Sequence, residues 1–383
     1  MIRNSLLFST AMATGMAGMA MADGYTIGVM SAQSGYLAPY DGPAYAGFQF
    51  CIDEMNANGG LNGTTPVELI VRDTRSDIAE GVKVVQEMID EGAQFIVASA
   101  DADPTIAAAQ ITAADSIPTM TFAGTAPVLT QVGEHVFGSY PADNQQATVL
   151  AGYALDQGLE RVWLVKSPDS AYTLGGPEYF GEVFSALGGS VVGESSYSLN
   201  QPDFSAIVTT IANADPAPDV IVTWAWEPDF PAFIRALRGA GLDTQVMGGD
   251  VLDTPTVRGL GDVVAGVTHT SGGFPDEGSA YADFIERFTA ATGTTPDNNY
   301  YVNGCDIAHM IEDAVAAAGT TDPAAVTAAM AAIEDGEGIM SNFTFAGTDR
   351  MPLRDVVVAR ISETGEKEFI LRSTADPALL PQP

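Results

Sequence analysis

Asp306, His309 and Glu312 stand at three-residue spacing, which puts an imidazole between two carboxylates on one face of a helix. Such a trio can hold a metal ion weakly, but a solvated helix face is the simpler reading and the one adopted. The other two histidines, His135 and His269, are remote from it in sequence. Lys166, Asp169 and Ser170 place a hydroxyl beside an acid and a base, yet Ser167-Pro168-Asp169-Ser170 is ordinary turn chemistry. Cys51 and Cys305 either pair in an oxidising compartment or serve as small buried apolar residues. With no Cys or His near both in sequence, they make no zinc site. There is no P-loop and no Gly-x-Ser-x-Gly elbow, and Gly239-Ala240-Gly241 follows a helix rather than a strand. No enzyme, metal or cofactor is expected.

What remains are polar and aromatic residues in loops that follow strands, where open α/β sheets bind ligands. Strands are expected at 25–30, 67–71, 95–98 and 119–122, with helices at 43–58, 78–91 and 104–115. Phe48, Ile52 and Met55 form the apolar stripe of the first helix. The alternation then restarts. Helices are expected at 142–157, 176–187, 204–212 and 230–240, with strands at 161–166, 190–193, 219–223 and 246–248. Strand then helix, repeated, predicts an α/β fold with parallel sheets covered on both faces. No Gly/Ser-rich or Pro-rich linker divides the two units. Three helices, 280–291, 301–318 and 323–333, precede an antiparallel hairpin of 351–361 with 368–372 around Glu363-Thr364-Gly365. The tail from Pro377 is expected to be loose.

The chain of 383 residues is long enough for two cores, and 46% apolar content can fill them. With 49 acidic against 15 basic residues the formal charge is −34. Such a surface repels phosphate, so nucleic acid and anionic membrane are poor partners. Arg3, the apolar run from Leu6 to Met19 and the small-x-small end Ala20-Met21-Ala22 read as an export signal over 1–22. The mature chain then begins near Asp23. No later segment is apolar enough to span a bilayer, so no membrane insertion of the mature chain is expected.

Ser31-Ala32-Gln33-Ser34-Gly35, Asp53-Glu54-Met55-Asn56-Ala57-Asn58-Gly59-Gly60-Leu61-Asn62-Gly63, Ala123-Gly124-Thr125-Ala126-Pro127 and Phe204-Ser205-Ala206-Ile207 occur in this order along the mature chain. In these segments the chain resembles the periplasmic substrate-binding proteins of the leucine/isoleucine/valine-binding type, which deliver ligands to ABC importers. The resemblance implies two doubly wound, Rossmann-like lobes joined by three crossovers, with the ligand cleft between them. The crossovers would fall near Tyr140–Asp143, Gly272–Phe274 and Ala346–Thr348. One lobe would be 23–142 plus 273–346, the other 143–272 plus 347–383.

It also implies a set of ligand-binding residues. Tyr40 would lie over the ligand. A serine pair that holds a ligand carboxylate is replaced here by Ala102-Asp103, which weakens the case for an ordinary α-amino acid. Ala123 would offer a carbonyl to the ligand ammonium, and Thr125 a hydroxyl and N–H to its carboxylate. Tyr172 and Trp226 would close over the ligand, with Trp224 either beside it or in the core. Asp250 would pair with the ammonium. The implied function is periplasmic capture of a small-molecule ligand, an amino acid or related amide, for an ABC transporter permease. The protein is expected to be a monomer. A cationic amine ligand, suggested by aromatic rings beside Asp103, Glu227 and Asp250, stands as the alternative, as does a sensory role of the same fold.

Overall fold

The computed structural model describes residues 24–383. The expected export signal at 1–22 lies outside them. The first sheet is parallel, in the order β2-β1-β3-β4-β5. Its strands are β1 (Tyr25–Ser31), β2 (Val67–Asp73), β3 (Phe95–Ala98), β4 (Thr119–Thr121) and β5 (Val136–Phe137). Helices α1 (Ala38–Ala57), α2 (Ile78–Asp90) and α3 (Ala102–Thr112) follow β1, β2 and β3. Side chains alternate across a strand, so the two faces feed two cores. Ile27, Val29, Phe95 and Val97 join one cluster. Met30, Ile96 and Ala98 join the other, under α2.

The chain then builds a second unit. Its elements are α4 (Asp143–Asp156), β6 (Arg161–Lys166), α5 (Ala171–Ala186), β7 (Ser190–Ser196), α6 (Ser205–Ala212) and β8 (Val220–Thr223). They continue with α7 (Asp229–Gly239), β9 (Gln245–Gly248), the short α8 (Pro255–Arg258) and β10 (Thr268–Ser271). After β10 the chain returns to the first unit with α9 (Ala280–Thr292), α10 (Tyr300–Ala318) and α11 (Pro323–Ala331). It ends with β11 (Phe343–Thr344), β12 (Leu353–Ile361) and β13 (Lys367–Thr374). The second sheet runs β11-β12-β10-β9-β8-β6-β7, with β13 hydrogen-bonded to β12. Strands β6 to β10 are parallel, and β12 enters antiparallel to β10. This is a two-lobed α/β architecture in which the chain crosses between lobes three times.

Helix α10 packs directly on α1. A Cβ at Gly47 would collide with the backbone carbonyl of Tyr301, and one at Gly304 with that of Ala44. The two glycines thus allow the helix backbones to touch. Cys51 and Cys305 are joined in a disulfide across this contact, with Cα atoms 5.3 Å apart. His309 lies beside the bridge. Both sulfurs are consumed in the bond, so the three residues are not a ligand set.

Four local expectations are corrected. Asp306 is not on a solvated face with His309 and Glu312: it is buried and paired with Arg354, and it accepts the Ile339 N–H at 2.6 Å. The reason is that α10 packs against other elements around most of its circumference. Strands β5, β10 and β11, of two to four residues, were too short to show a period. Helix α1 begins at Ala38 and carries Pro43 inside its first turns rather than starting there. The tail is anchored: Asn144 Nδ2 donates to the Pro381 carbonyl at 2.9 Å, and Pro381 is buried.

Candidate functional site

The carboxyl ends of the two sheets face each other across a narrow cleft. From the first lobe it is lined by Leu37 and Tyr40 at the start of α1, by Ala100, Asp101 and Ala102 after β3, and by Ala123, Gly124 and Thr125 after β4. Tyr300, at the start of α10, completes that wall. The second lobe supplies Tyr172 from the first turn of α5, Trp226 after β8, and Asp250 and Val251 after β9. Each belongs to a strand-end loop or the first turn of a helix, the positions where side chains escape the sheet layers.

Aromatic rings form much of the wall. Tyr172 and Trp226 are parallel to within 3°, with centroids 5.7 Å apart. Tyr36 of the first lobe packs on Trp226 at 5.7 Å, and Tyr40 meets Tyr300 edge-on at 5.7 Å. The Glu227 N–H donates to the Tyr40 hydroxyl at 3.4 Å, a direct tie between lobes. Trp224 is turned into the core, where its Nε1 donates to Asp143 at 3.2 Å.

Asp250 is buried. Its carboxylate lies within hydrogen-bond reach of the Tyr172 hydroxyl at 3.2 Å, Gln146 Nε2 at 3.1 Å and the Tyr300 hydroxyl at 3.2 Å. Burial raises its pKa to about 6, and these donors hold it from going higher. Asp101 is also buried. Loss of water, then the charges of Asp103 and Asp41, push its carboxyl up to about 8. One Asp101 oxygen has no hydrogen-bond partner. Asp143, next to the cleft, is raised well above the ordinary range by burial and then by Asp250, and it too has an unpartnered oxygen. The Thr125 hydroxyl faces Asp143 and, with the Trp224 indole, works against that rise. Asp41 has a different task. It accepts the Ala32 and Ala100 N–H groups, each at 2.6 Å, and the Ser99 hydroxyl at 3.1 Å, which ties the loop after β1 to the loop after β3.

A second polar tie lies at the side of the cleft. Asp253 of the second lobe takes Arg258 and Lys367, each at 2.8 Å, and Asn299 Nδ2 from the start of α10 at 2.6 Å. Burial alone would raise its pKa, but the surrounding positive charges of Lys367, His269 and Arg258 carry it well below the ordinary range.

Tyr40, Ala102, Ala123, Thr125, Tyr172, Trp226 and Asp250 all line this cleft. Asp103 does not; it is half-buried in the first turn of α3, one residue past Ala102. Sequence reasoning passed over Asp101, the first acidic residue after β3, which occupies the wall where Asp103 was expected. It also passed over Tyr300, which nothing in the sequence connects with Asp250 or Tyr40. Among the described residues no helix is long and apolar enough to cross a membrane.

Comparison with known proteins places this geometry. A family model described as periplasmic binding protein matches residues 24–366. A Leu/Ile/Val-binding protein homolog from Brucella abortus is 27% identical over 333 residues, covering 86% of this chain and 88% of its own. The branched-chain amino acid transporter substrate-binding protein LivJ from Streptococcus pneumoniae, solved with isoleucine, superposes with a TM-score of 0.82 at 20% identity, covering 93% of this chain and 100% of that one. An ABC-transporter solute-binding protein from R. palustris, solved with benzoate, reaches 0.80 at 20% identity, covering 93% and 98%. The chain belongs to the periplasmic binding protein family, of the Leu/Ile/Val-binding kind, a class of solute-binding proteins.

Proposed function

We propose that this periplasmic binding protein captures a small, ammonium-bearing polar solute by closing its lobes and delivers it to the permease of an ABC importer. Relatives named for Leu/Ile/Val or solved with isoleucine support an amino acid, and a related amide or a cationic amine would use the same polar wall. The observation that carries the reading is Asp250: a carboxylate held by three polar side chains inside a cleft walled by aromatic rings from both lobes. Tyr40, Ala102, Ala123, Thr125, Tyr172 and Trp226 would surround the solute. A charge-assisted hydrogen bond from an ammonium to such a carboxylate contributes roughly 1.5–3 kcal/mol. The hinge would lie in the crossovers near Tyr140–Asp143, Gly272–Phe274 and Ala346–Thr348, between lobes at 23–142 plus 273–346 and 143–272 plus 347–383. The export signal at 1–22 would direct the chain to the periplasm, where it would work as a monomer.

The test is a thermal-shift screen of amino acids, amides and amines on the mature protein, with small-angle scattering on any hit. A ligand at about 100 times its Kd should stabilise the fold by about 2.7 kcal/mol. It should also reduce the radius of gyration. If no solute in these classes does either, the reading is wrong.

A further inference from the structure

We propose that the solute is an organic diamine without a carboxylate, clamped between Asp101 of one lobe and Asp250 of the other. The inference rests on the solute-binding reading and narrows its ligand class. It starts from charge. Asp101 and Asp250 both line the cleft, and Asp143 stands next to it. No Lys, Arg or His is among the lining residues. The groups that act on Asp101 are Asp103 of its own helix and Asp41 and Tyr36 from the α1 side. Those around Asp250 are Gln146 and Asp143 of α4, Tyr172 of α5, and Tyr40, Tyr140 and Tyr300 from the opposite side. None is basic. Buried carboxylates of this kind need a cation or a proton.

Asp101 keeps one oxygen without a donor although the residue is only 5% exposed and lines the cleft. An α-amino acid with its ammonium on Asp250 would bring its own carboxylate into a cleft whose lining holds a second carboxylate, Asp101, and no basic side chain. A diamine meets the wall with donors at both ends. Its methylene spacer suits the apolar faces of Tyr172, Trp226, Tyr40 and Tyr300, and each ammonium gains from an adjacent ring. Binding the dication ionises Asp101, which otherwise holds a proton near pH 7, so a proton leaves as the ligand enters.

The experiment is isothermal calorimetry on mature protein that has been unfolded and refolded to strip any carried solute. The probes are unbranched α,ω-diamines from propane to hexane, the matching monoamines, isobutyramide and leucine. A diamine should bind at least a hundredfold tighter than leucine and at least tenfold tighter than its monoamine. At about pH 7 the heat should change with buffer ionisation enthalpy in the sense of proton release. Asp101→Asn should weaken diamine binding at least tenfold and leave the monoamine nearly unchanged. Leucine or the amide binding as tightly as any diamine would overturn the diamine assignment and leave the solute-binding reading standing. Binding of no probe, with no change in scattering radius, would remove both. Should Asp101→Asn fail to fold, the wild-type protein still decides: a diamine that binds no tighter than its monoamine overturns the proposal.

Discussion

The Tyr300 hydroxyl, at the first turn of α10 in one lobe, lies 3.2 Å from the Asp250 carboxylate and 3.1 Å from the Asp250 backbone carbonyl in the other. The same side chain that offers a charge to the cleft therefore also tethers the lobes, and ligand recognition and closure share one residue. Removing the hydroxyl with Tyr300→Phe leaves the ring packing on Tyr40 and deletes the tether. A typical hydrogen bond contributes about 0.5–1.5 kcal/mol, so affinity should fall roughly 2- to 12-fold with most of the loss in the off-rate. Stopped-flow and calorimetry check this; unchanged kinetics would separate Tyr300 from closure.

Asp250→Asn keeps the shape of the wall and removes its charge. Truncating one partner of a buried charge pair costs about 2–5 kcal/mol, so ligand binding should weaken at least tenfold. Calorimetry with whichever solute the screen identifies gives the answer, and an unchanged Kd would take Asp250 out of the site.

Asp101 allows a prediction that needs no ligand. Its carboxyl is pushed up to about 8 in the fold. It titrates near 3.9 when unfolded. A raised carboxyl pKa means that the folded state holds a proton the unfolded state has released. The group's contribution to stability is therefore intact below about pH 4 and is lost as pH rises toward 8. Asn cannot ionise. Asp101→Asn should match the ligand-free wild type in acid and exceed its melting temperature at about pH 8. Parallel melting curves across that range would contradict this.

Arg354 and Asp306 form an ion pair with both side chains out of contact with solvent. Arg354 also donates to the Ser139 carbonyl at 2.9 Å, close to where the chain leaves the first lobe. Arg354→Met should cost about 3–5 kcal/mol by leaving a carboxylate buried alone. Adding Asp306→Leu should recover much of that loss, since an apolar pair of similar volume avoids the desolvation of both charges. Denaturant titration measures both, and equal losses in the single and double variants would mean that packing, not charge, sets the cost.

The Cys51–Cys305 bridge closes a loop of 254 residues between α1 and α10. Replacing both cysteines with serine should lower stability by about 2–5 kcal/mol. Neither cysteine lines the cleft, so ligand affinity should stay the same. Chemical unfolding and calorimetry check the two halves, and mass spectrometry of the native wild type should find no alkylatable thiol.

The sequence by itself determined the two-lobed α/β architecture, because strand and helix periods are local and repeat along the chain. Most of the residues that line the cleft were named through the family resemblance that its short motifs carry. Ala102, Ala123, Thr125, Tyr172, Trp226 and Asp250 all occupy loops or first turns that follow strands, and a parallel sheet sends every such end to the same edge. What only the tertiary structure decided were the pairings between distant segments. Tyr300 meets Asp250, Cys51 meets Cys305, and Arg354 meets Asp306 because α10 and β12 return to elements laid down far earlier in the chain. The exchange of Asp103 for Asp101 has a smaller cause. Helix α3 starts two residues earlier than its sequence pattern suggested, so Asp101 is the extended N-cap residue at the cleft and Asp103 lies within the first helical turn, off the cleft wall. Period and turn chemistry act over a few residues, whereas a contact between residues far apart depends on how whole layers pack.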